Sequence, residues 1–93
     1  MTEKRAHVFL EGRVQGVYFR SYTREWAEGA RVVGWVRNAP DGRLEVVLEG
    51  EEEDILEVVG YMKQGPPYAQ VNKVNFDWEE PTGEFKEFSV RHR

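Results

Sequence analysis

One stretch of the chain combines glycine and arginine in a pattern that could bind an anion. It reads Gly12-Arg13-Val14-Gln15-Gly16-Val17-Tyr18-Phe19-Arg20. Glycine lets the backbone bend so that several N–H groups converge on one point, and such a nest binds anions. A helix N-terminus directly after the loop would add favourable potential. The stretch therefore predicts a phosphate cradle, although its residues do not follow the Walker pattern.

Arg20 strengthens this interpretation. Helical spacing begins at about Phe19, so Arg20 falls in the first turn, where the helix dipole disfavours a cation by about 0.3–1 kcal/mol. Three arginines and no acid lie between Gly12 and Arg24. A bound anion would offset the charge, and a guanidinium matches phosphate oxygens in pairs. The alternative is a solvated arginine that happens to lie near a helix start.

A second candidate is Asn38, which ends the segment Gly34-Trp35-Val36-Arg37-Asn38 just before a predicted turn. Asparagine at such a place commonly forms an Asx turn, which is a structural role. Its functional alternative is a side-chain amide that holds a water molecule or an oxyanion. Read alone, the segment favours the turn.

Other catalytic groups are poorly represented. His7 and His92 have no partner at a useful spacing, and Ser21 and Ser89 lack the context of a nucleophile elbow. The acidic run 51–54 favours the start of a helix over a metal site, because acids stabilise the positive end of a helix. The residues thus predict an anion site without a nucleophile, a general base or a metal.

The elements that would position these residues follow the order βαββαβ, with one additional strand near the C-terminus. The predicted elements are a strand over 8–13, a helix over about 19–30, a hairpin of 32–38 and 44–49 around Pro40-Asp41-Gly42, a helix from Glu51 to the Gly65 cap, and strands at 74–78 and 88–90. This pattern predicts an α+β, ferredoxin-like sandwich, a mostly antiparallel sheet with two helices on one face.

Each predicted helix has an apolar face. In the first helix this face is formed by Phe19, Tyr22, Trp26 and Ala30, with Gly29 positioned to close the helix. In the second helix it is formed by Ile55, Val59 and Met62, widened by Leu56 and Val58.

Composition narrows the class of protein. The 93 residues fit a single domain, 1–93, and the chain contains no cysteine. A net charge of −4 argues against nonspecific binding to nucleic acid or membranes. RNA-recognition motifs share the element order, but they need paired aromatics and a basic surface. No signal peptide or membrane span is predicted, so a cytoplasmic protein is expected.

The two candidate segments resemble the signatures of the acylphosphatase family. The stretch from Leu10 to Arg20 is similar to the first signature throughout, and Gly34 to Asn38, followed by Gly42, Leu44 and Gly50, is similar to the second. Leu44 stands where the family usually has valine, and His92 stands where it often has an aromatic residue. The resemblance covers essentially the whole chain.

The resemblance implies hydrolysis of acyl phosphates to a carboxylate and inorganic phosphate, with phosphate as product and competitive inhibitor. Arg20 and the loop from Gly12 to Phe19 would bind the phosphoryl group, and Asn38 would orient the attacking water. No metal, cofactor, nucleic-acid or membrane partner is implied, and a monomer is expected. The alternative is a non-catalytic regulatory module that binds phosphate or another anion on the same fold; a domain of a larger maturation enzyme is a further possibility, which the length does not favour.

Overall fold

The computed structural model describes residues 3–92. Its elements in chain order are β1 (Glu3–Arg13), α1 (Phe19–Gly29), β2 (Val33–Asn38), β3 (Leu44–Glu51), α2 (Glu52–Gln64), β4 (Gln70–Glu79) and β5 (Phe88–Arg91). The predicted βαββαβ order with an additional C-terminal strand is confirmed. Within residues 3–92, no helix combines the length and the apolar character needed to cross a membrane.

The five strands form one sheet in the order β4-β1-β3-β2-β5. Neighbouring strands are antiparallel except for β2 and β5, which are parallel. Since β3 opposes both β1 and β2, the strands β1, β2 and β5 all run in the same direction. The loop after β1, the last residue of β2 and the end of β5 therefore meet at one edge of the sheet.

The first strand is longer than predicted. It begins at Glu3 rather than at Val8. Gly12 and Arg13, which the sequence placed both at the end of this strand and in the candidate phosphate-binding loop, pair with Val71 and Gln70 of β4 after a register shift at Gly12. A Cβ atom on Gly12 would lie 2.2 Å from the carbonyl oxygen of Gln70. The absence of a side chain thus lets β4 approach, and the irregular loop begins only at Val14.

The buried face of α1 is rotated about the helix axis relative to the predicted face, by about half of the 100° that separates successive residues. It is formed by Phe19, Thr23 and Ala27. Tyr22 is 36% exposed and Trp26 is half-buried. The small side chains of Thr23 and Ala27 face the sheet, and the Thr23 hydroxyl donates to the carbonyl of Phe19. The two large rings flank this face, and Trp26 stacks on Tyr61 of α2.

In α2 the predicted core residues Ile55, Val58, Val59 and Met62 are buried. Leu56 is an exception, because it is 47% exposed. At about 100° per residue, Leu56 lies outside the stripe that the other four residues form.

The ends of the two helices have different geometry. Gly65 closes α2 with a φ of 76°, as predicted. Gly29 was expected to close α1, but the left-handed residue there is Arg31, with a φ of 61°. The N–H of Val32 donates to the carbonyl of Ala27 at 2.8 Å, which is the long hydrogen bond of a Schellman-type end. The backbone pattern therefore ends this helix without help from glycine.

The chain from β4 to β5 must cross the sheet, because these strands lie at opposite edges. Residues 80–87 cross the face away from the helices, and Glu49 of β3 anchors them. This carboxylate, only 2% exposed, accepts hydrogen bonds from the N–H of Thr82 (3.1 Å), the Thr82 hydroxyl (2.9 Å) and the N–H of Gly83 (3.1 Å). It also pairs with Arg5 at 3.2 Å.

A second buried carboxylate, Glu45, lies four residues before Glu49 on the same face of β3. Glu45 contacts Nε2 of His7 and Nε of Arg37, each at 2.6 Å. Burial alone would raise the pKa of Glu45, but the contacts with His7 and Arg37 outweigh it and the pKa is lowered. The pKa of Glu49 is also lowered from the usual 4.5. Burial raises this pKa, but the hydrogen bonds from the N–H groups of Thr82 and Gly83 outweigh that effect.

These lowered pKa values predict that the fold loses stability in acid. A carboxyl whose folded pKa is lowered contributes stability above its unfolded pKa, and that contribution is lost as the pH falls through the folded value. Urea unfolding should therefore give a smaller free energy of unfolding at about pH 3 than at about pH 6. Glu49→Gln should lower the free energy at about pH 6 by about 1.5–3 kcal/mol and reduce the difference between the two pH values.

The exposed Glu53 of α2 supplies a matched control, since Glu53→Gln should leave the loss of unfolding free energy in acid unchanged. If the free energy of unfolding fell equally between about pH 6 and about pH 3 in Glu49→Gln and in the parent protein, the proposed role of the Glu49 carboxylate in acid sensitivity would be wrong.

Candidate active site

Three segments meet at the edge where β1, β2 and β5 end. They are the loop 14–18 between β1 and α1, Asn38 at the end of β2, and Arg91 and His92 at the end of β5. Arg37 of β2 pairs in register with Arg91 of β5, so Asn38 and His92 follow at neighbouring positions. The two segments singled out in the sequence thus lie at the same edge.

The loop alternates anchored and exposed residues. Val14 and Val17 are buried in the core, while Gly16 and Tyr18 face outwards. Gly16 and Tyr18 also have left-handed backbone, with φ values of 73° and 64°. A left-handed residue next to a right-handed one turns successive N–H groups towards one side and forms an anion nest, and the two left-handed residues allow this geometry here. Glycine adopts this conformation freely, whereas tyrosine does so at a cost of about 1–2 kcal/mol.

Gln15 fixes the loop to the hairpin between β2 and β3. Its side-chain Nε2 donates to the carbonyl oxygens of Ala39 (2.9 Å) and Arg43 (3.1 Å). Ala39 directly follows Asn38, so this amide ties the loop to the end of β2. The sequence placed Gln15 in the loop but gave no signal for this bridging role.

Arg20 is the second residue of α1, as predicted. Its Nη1 donates to the carbonyl oxygen of Arg91 at 3.2 Å and lies 3.2 Å from Nδ1 of His92. Within residues 3–92 it forms no ion pair with a carboxylate, and the first turn of α1 has no acid. The positive charge at this helix start is therefore not neutralised by a described acidic side chain.

His92 was expected to lack a partner, and the structure corrects this. A guanidinium can only donate, so the contact with Arg20 requires Nδ1 of His92 to accept and places the proton of the neutral ring on Nε2. Residues 20 and 92 are far apart in sequence, and no local pattern could have paired them.

Asn38 is the last residue of β2 and pairs with Leu44. The Asx role that the sequence offered for Asn38 belongs to Asp41, whose Oδ1 accepts from the N–H of Arg43 at 3.0 Å. That hydrogen bond also lowers the pKa of Asp41. Among the described residues, the Asn38 side chain has no hydrogen-bond partner, so its amide is available to a ligand or a water molecule.

A pocket of about 310 Å³ opens beside the loop. It is lined by Gly16, Tyr18, Phe19, Arg20, Ser21, Val90 and His92. The lining includes a guanidinium and, among the described residues, no carboxylate. Its electrostatics suit an anion, with apolar surface next to it.

The acidic side chains lie elsewhere. Glu52, Glu53 and Asp54 form the first turn of α2, as predicted, at the opposite edge of the sheet from Asn38. In the part of the chain that the structure describes, no three His, Cys, Asp or Glu side chains are grouped so that they could hold a metal ion.

Comparison with known proteins supports the resemblance seen in the sequence. The family model for acylphosphatase matches residues 6–90. The chain is 51% identical over 86 residues to the acylphosphatase of Chloroflexus aurantiacus, covering 92% of this chain and 94% of that protein.

Solved structures give the same result. The crystal structure of an acylphosphatase from Bacillus subtilis superimposes with a TM-score of 0.92 at 30% identity, covering 96% of this chain and 99% of that one. Full-length HypF, in a phosphate- and nucleotide-bound form, matches with a TM-score of 0.88 at 28% identity, but the match covers 97% of this chain and only 12% of HypF. With its sequence signatures, its sheet order and its nearly full-length relatives in agreement, this chain belongs to the acylphosphatase family.

Proposed function

We propose that this protein hydrolyses acyl phosphates to a carboxylate and inorganic phosphate at the edge formed by the loop, Arg20 and Asn38. The observation that carries the proposal is the position of Arg20. Its guanidinium stands at a helix start, beside a loop with two left-handed residues and without a described acidic partner. A dianionic phosphoryl group supplies the charge that this arrangement lacks.

In this proposal, the N–H groups of the loop and the fork of Arg20 bind the phosphoryl oxygens. The Arg91 carbonyl orients the guanidinium, since it accepts from Nη1 at 3.2 Å. Phosphoryl transfer passes through a loose transition state with charge on the equatorial oxygens, so fixed donors around these oxygens lower the barrier. Gln15 keeps the loop at a set distance from the end of β2.

Asn38 is proposed to orient the attacking water through its free side-chain amide. The mechanism needs no strong base, because the carboxylate is a good leaving group and positioning with charge stabilisation is sufficient. The water attacks phosphorus as the bond from phosphorus to the acyl oxygen breaks. Its proton passes to a phosphate oxygen of the substrate, and the carboxylate leaves with the bonding electron pair.

The proposal extends to the state of the protein. The loop, Arg20 and Asn38 come from a single chain and a single sheet edge, so residues 1–93 are proposed to act as one domain and as a monomer. A net charge of −4 favours solubility. A chain without cysteine has no need of an oxidising compartment, which fits the cytoplasm.

Inorganic phosphate should bind the cradle and compete with substrate. We expect phosphate to shift the backbone amide resonances of residues 15–19 in a titration followed by NMR, because these N–H groups would donate to it. The amides of residues 52–56 at the start of α2 provide the control, since acids already occupy that helix start. Unmoved resonances over 15–19 at saturating phosphate would contradict the cradle.

Arg20 and Asn38 should differ in their kinetic effects. Arg20 meets phosphate charge both before and during transfer, so Arg20→Ala should raise KM and lower kcat by about 10³ or more. If Asn38 only orients water, Asn38→Ala should lower kcat by about 10²–10⁴ and change phosphate inhibition by less than about threefold.

Matched controls are Arg24→Ala, one turn further along α1, and Asn72→Ala on the exposed surface of β4. Both should retain near-parental kinetics. Near-normal turnover in Asn38→Ala with a lowered melting temperature would return Asn38 to a structural role. Phosphate binding by the parent protein without turnover of any acyl phosphate would favour the regulatory module instead.

Chelation should leave the activity intact. The described residues include no metal-binding group of side chains, and the proposed stabilisation comes from backbone N–H groups and Arg20. The parent enzyme should therefore keep its turnover number in excess EDTA. Loss of activity in EDTA that a divalent cation restores would overturn the mechanism.

A further inference from the structure

We propose that Tyr18 forms the binding surface for the acyl group and makes the enzyme favour substrates with an aromatic acyl group over those with a short aliphatic one. This inference rests on the proposed function and adds to it the class of leaving group. The phosphoryl part of every acyl phosphate is the same, so protein contacts that distinguish one acyl group from another must lie beyond the cradle. The pocket beside Arg20 supplies such contacts.

The pocket has a polar end and an apolar side. Arg20 and Gly16 belong to the proposed cradle, while Tyr18 and Val90 offer apolar surface to the same 310 Å³. This volume is at the low end of the range of about 300–1,000 Å³ for small-molecule sites. A phosphoryl group held by Arg20 would direct the attached acyl group along the remaining wall.

The Tyr18 side chain faces the pocket and the solvent rather than the core. Its side chain is 73% exposed although the next residue, Phe19, is 1% exposed. The left-handed backbone of Tyr18 turns its side chain out of the core. Its hydroxyl has no hydrogen-bond partner among residues 3–92, so the described part of the fold gives this ring no structural task.

The position of Asn38 fits the same assignment. Attacking and leaving oxygens lie roughly in line on opposite sides of phosphorus. Asn38, which would hold the water, is not among the residues that line the pocket. The pocket is therefore available to the leaving group.

The contact would be between rings. A planar acyl group can lie against the face or the edge of the Tyr18 ring, an arrangement that stabilises more than burial alone. An acetyl group is too small to reach across the same surface. The selectivity should appear in kcat/KM, which compares the free substrate with the transition state.

The test compares benzoyl phosphate with acetyl phosphate in the parent protein and in Tyr18→Asn. Asparagine tolerates left-handed backbone, so this variant removes the ring while it preserves the loop. We expect kcat/KM for benzoyl phosphate to fall by about three- to tenfold and that for acetyl phosphate to change less than about twofold. Tyr18→Phe retains the ring and should keep the parent's ratio of kcat/KM for benzoyl phosphate to that for acetyl phosphate.

One further measurement and two further variants complete the test. Inhibition by inorganic phosphate should be unchanged in Tyr18→Asn, which shows that the cradle is intact; Tyr18→Gly provides a second variant that retains the left-handed backbone. Tyr68→Ala is the matched control, because Tyr68 is 71% exposed and does not line the pocket.

The outcomes separate this inference from the proposed function. Hydrolysis of both substrates by the parent with an unchanged ratio in Tyr18→Asn and Tyr18→Gly would overturn the acyl site alone. A parent protein that hydrolyses neither substrate would overturn the proposed function, and the acyl site with it. An equal loss for both substrates with weakened phosphate inhibition would assign Tyr18 to the cradle and also overturn the inference.

Discussion

The hydrogen bond from Arg20 to the carbonyl of Arg91 is the contact on which the arrangement of the site depends. A guanidinium in the first turn of a helix is repelled by the helix dipole and has many accessible rotamers. The carbonyl at 3.2 Å restrains it without neutralising its charge. An acidic partner would restrain it equally well but would compete with the phosphate. A backbone acceptor thus preserves the positive potential that the proposed chemistry requires.

This contact joins residues 71 positions apart, so it requires β5 to lie beside β2 at the end of a long crossing. Glu49 makes the crossing specific, since four donors converge on one buried carboxylate and fix Thr82 and Gly83 over the sheet. The charged groups on the face away from the helices therefore contribute indirectly to the arrangement of the candidate active site. They place the strand whose last carbonyl orients Arg20.

The sequence predicted those features that depend on local residue type. Proline with Asp41 and Gly42 indicated the hairpin turn, which the structure contains. Glycine at 16 and arginine at 20 indicated the phosphate cradle, which stays a prediction. It could not predict features that depend on distant packing. The left-handed Tyr18 is held by the buried Val17 and Phe19 on either side, and tyrosine has no preference for that conformation. The rotation of the buried face of α1 likewise depends on tertiary packing, which buries the small side chains of Thr23 and Ala27.

Tyr18 and Phe19 are adjacent in sequence but have different physical roles. Phe19 is buried and fixes the start of α1, so its replacement would disturb the core and the direction of the helix dipole together. Tyr18 contributes no described packing, so its side chain can change with little effect on folding as long as the backbone stays left-handed. The proposed selectivity for the acyl group and the stability of the loop are therefore separable in this fold. The strain of a left-handed tyrosine is offset by the core on either side of it, and the exposed ring is free to meet a substrate.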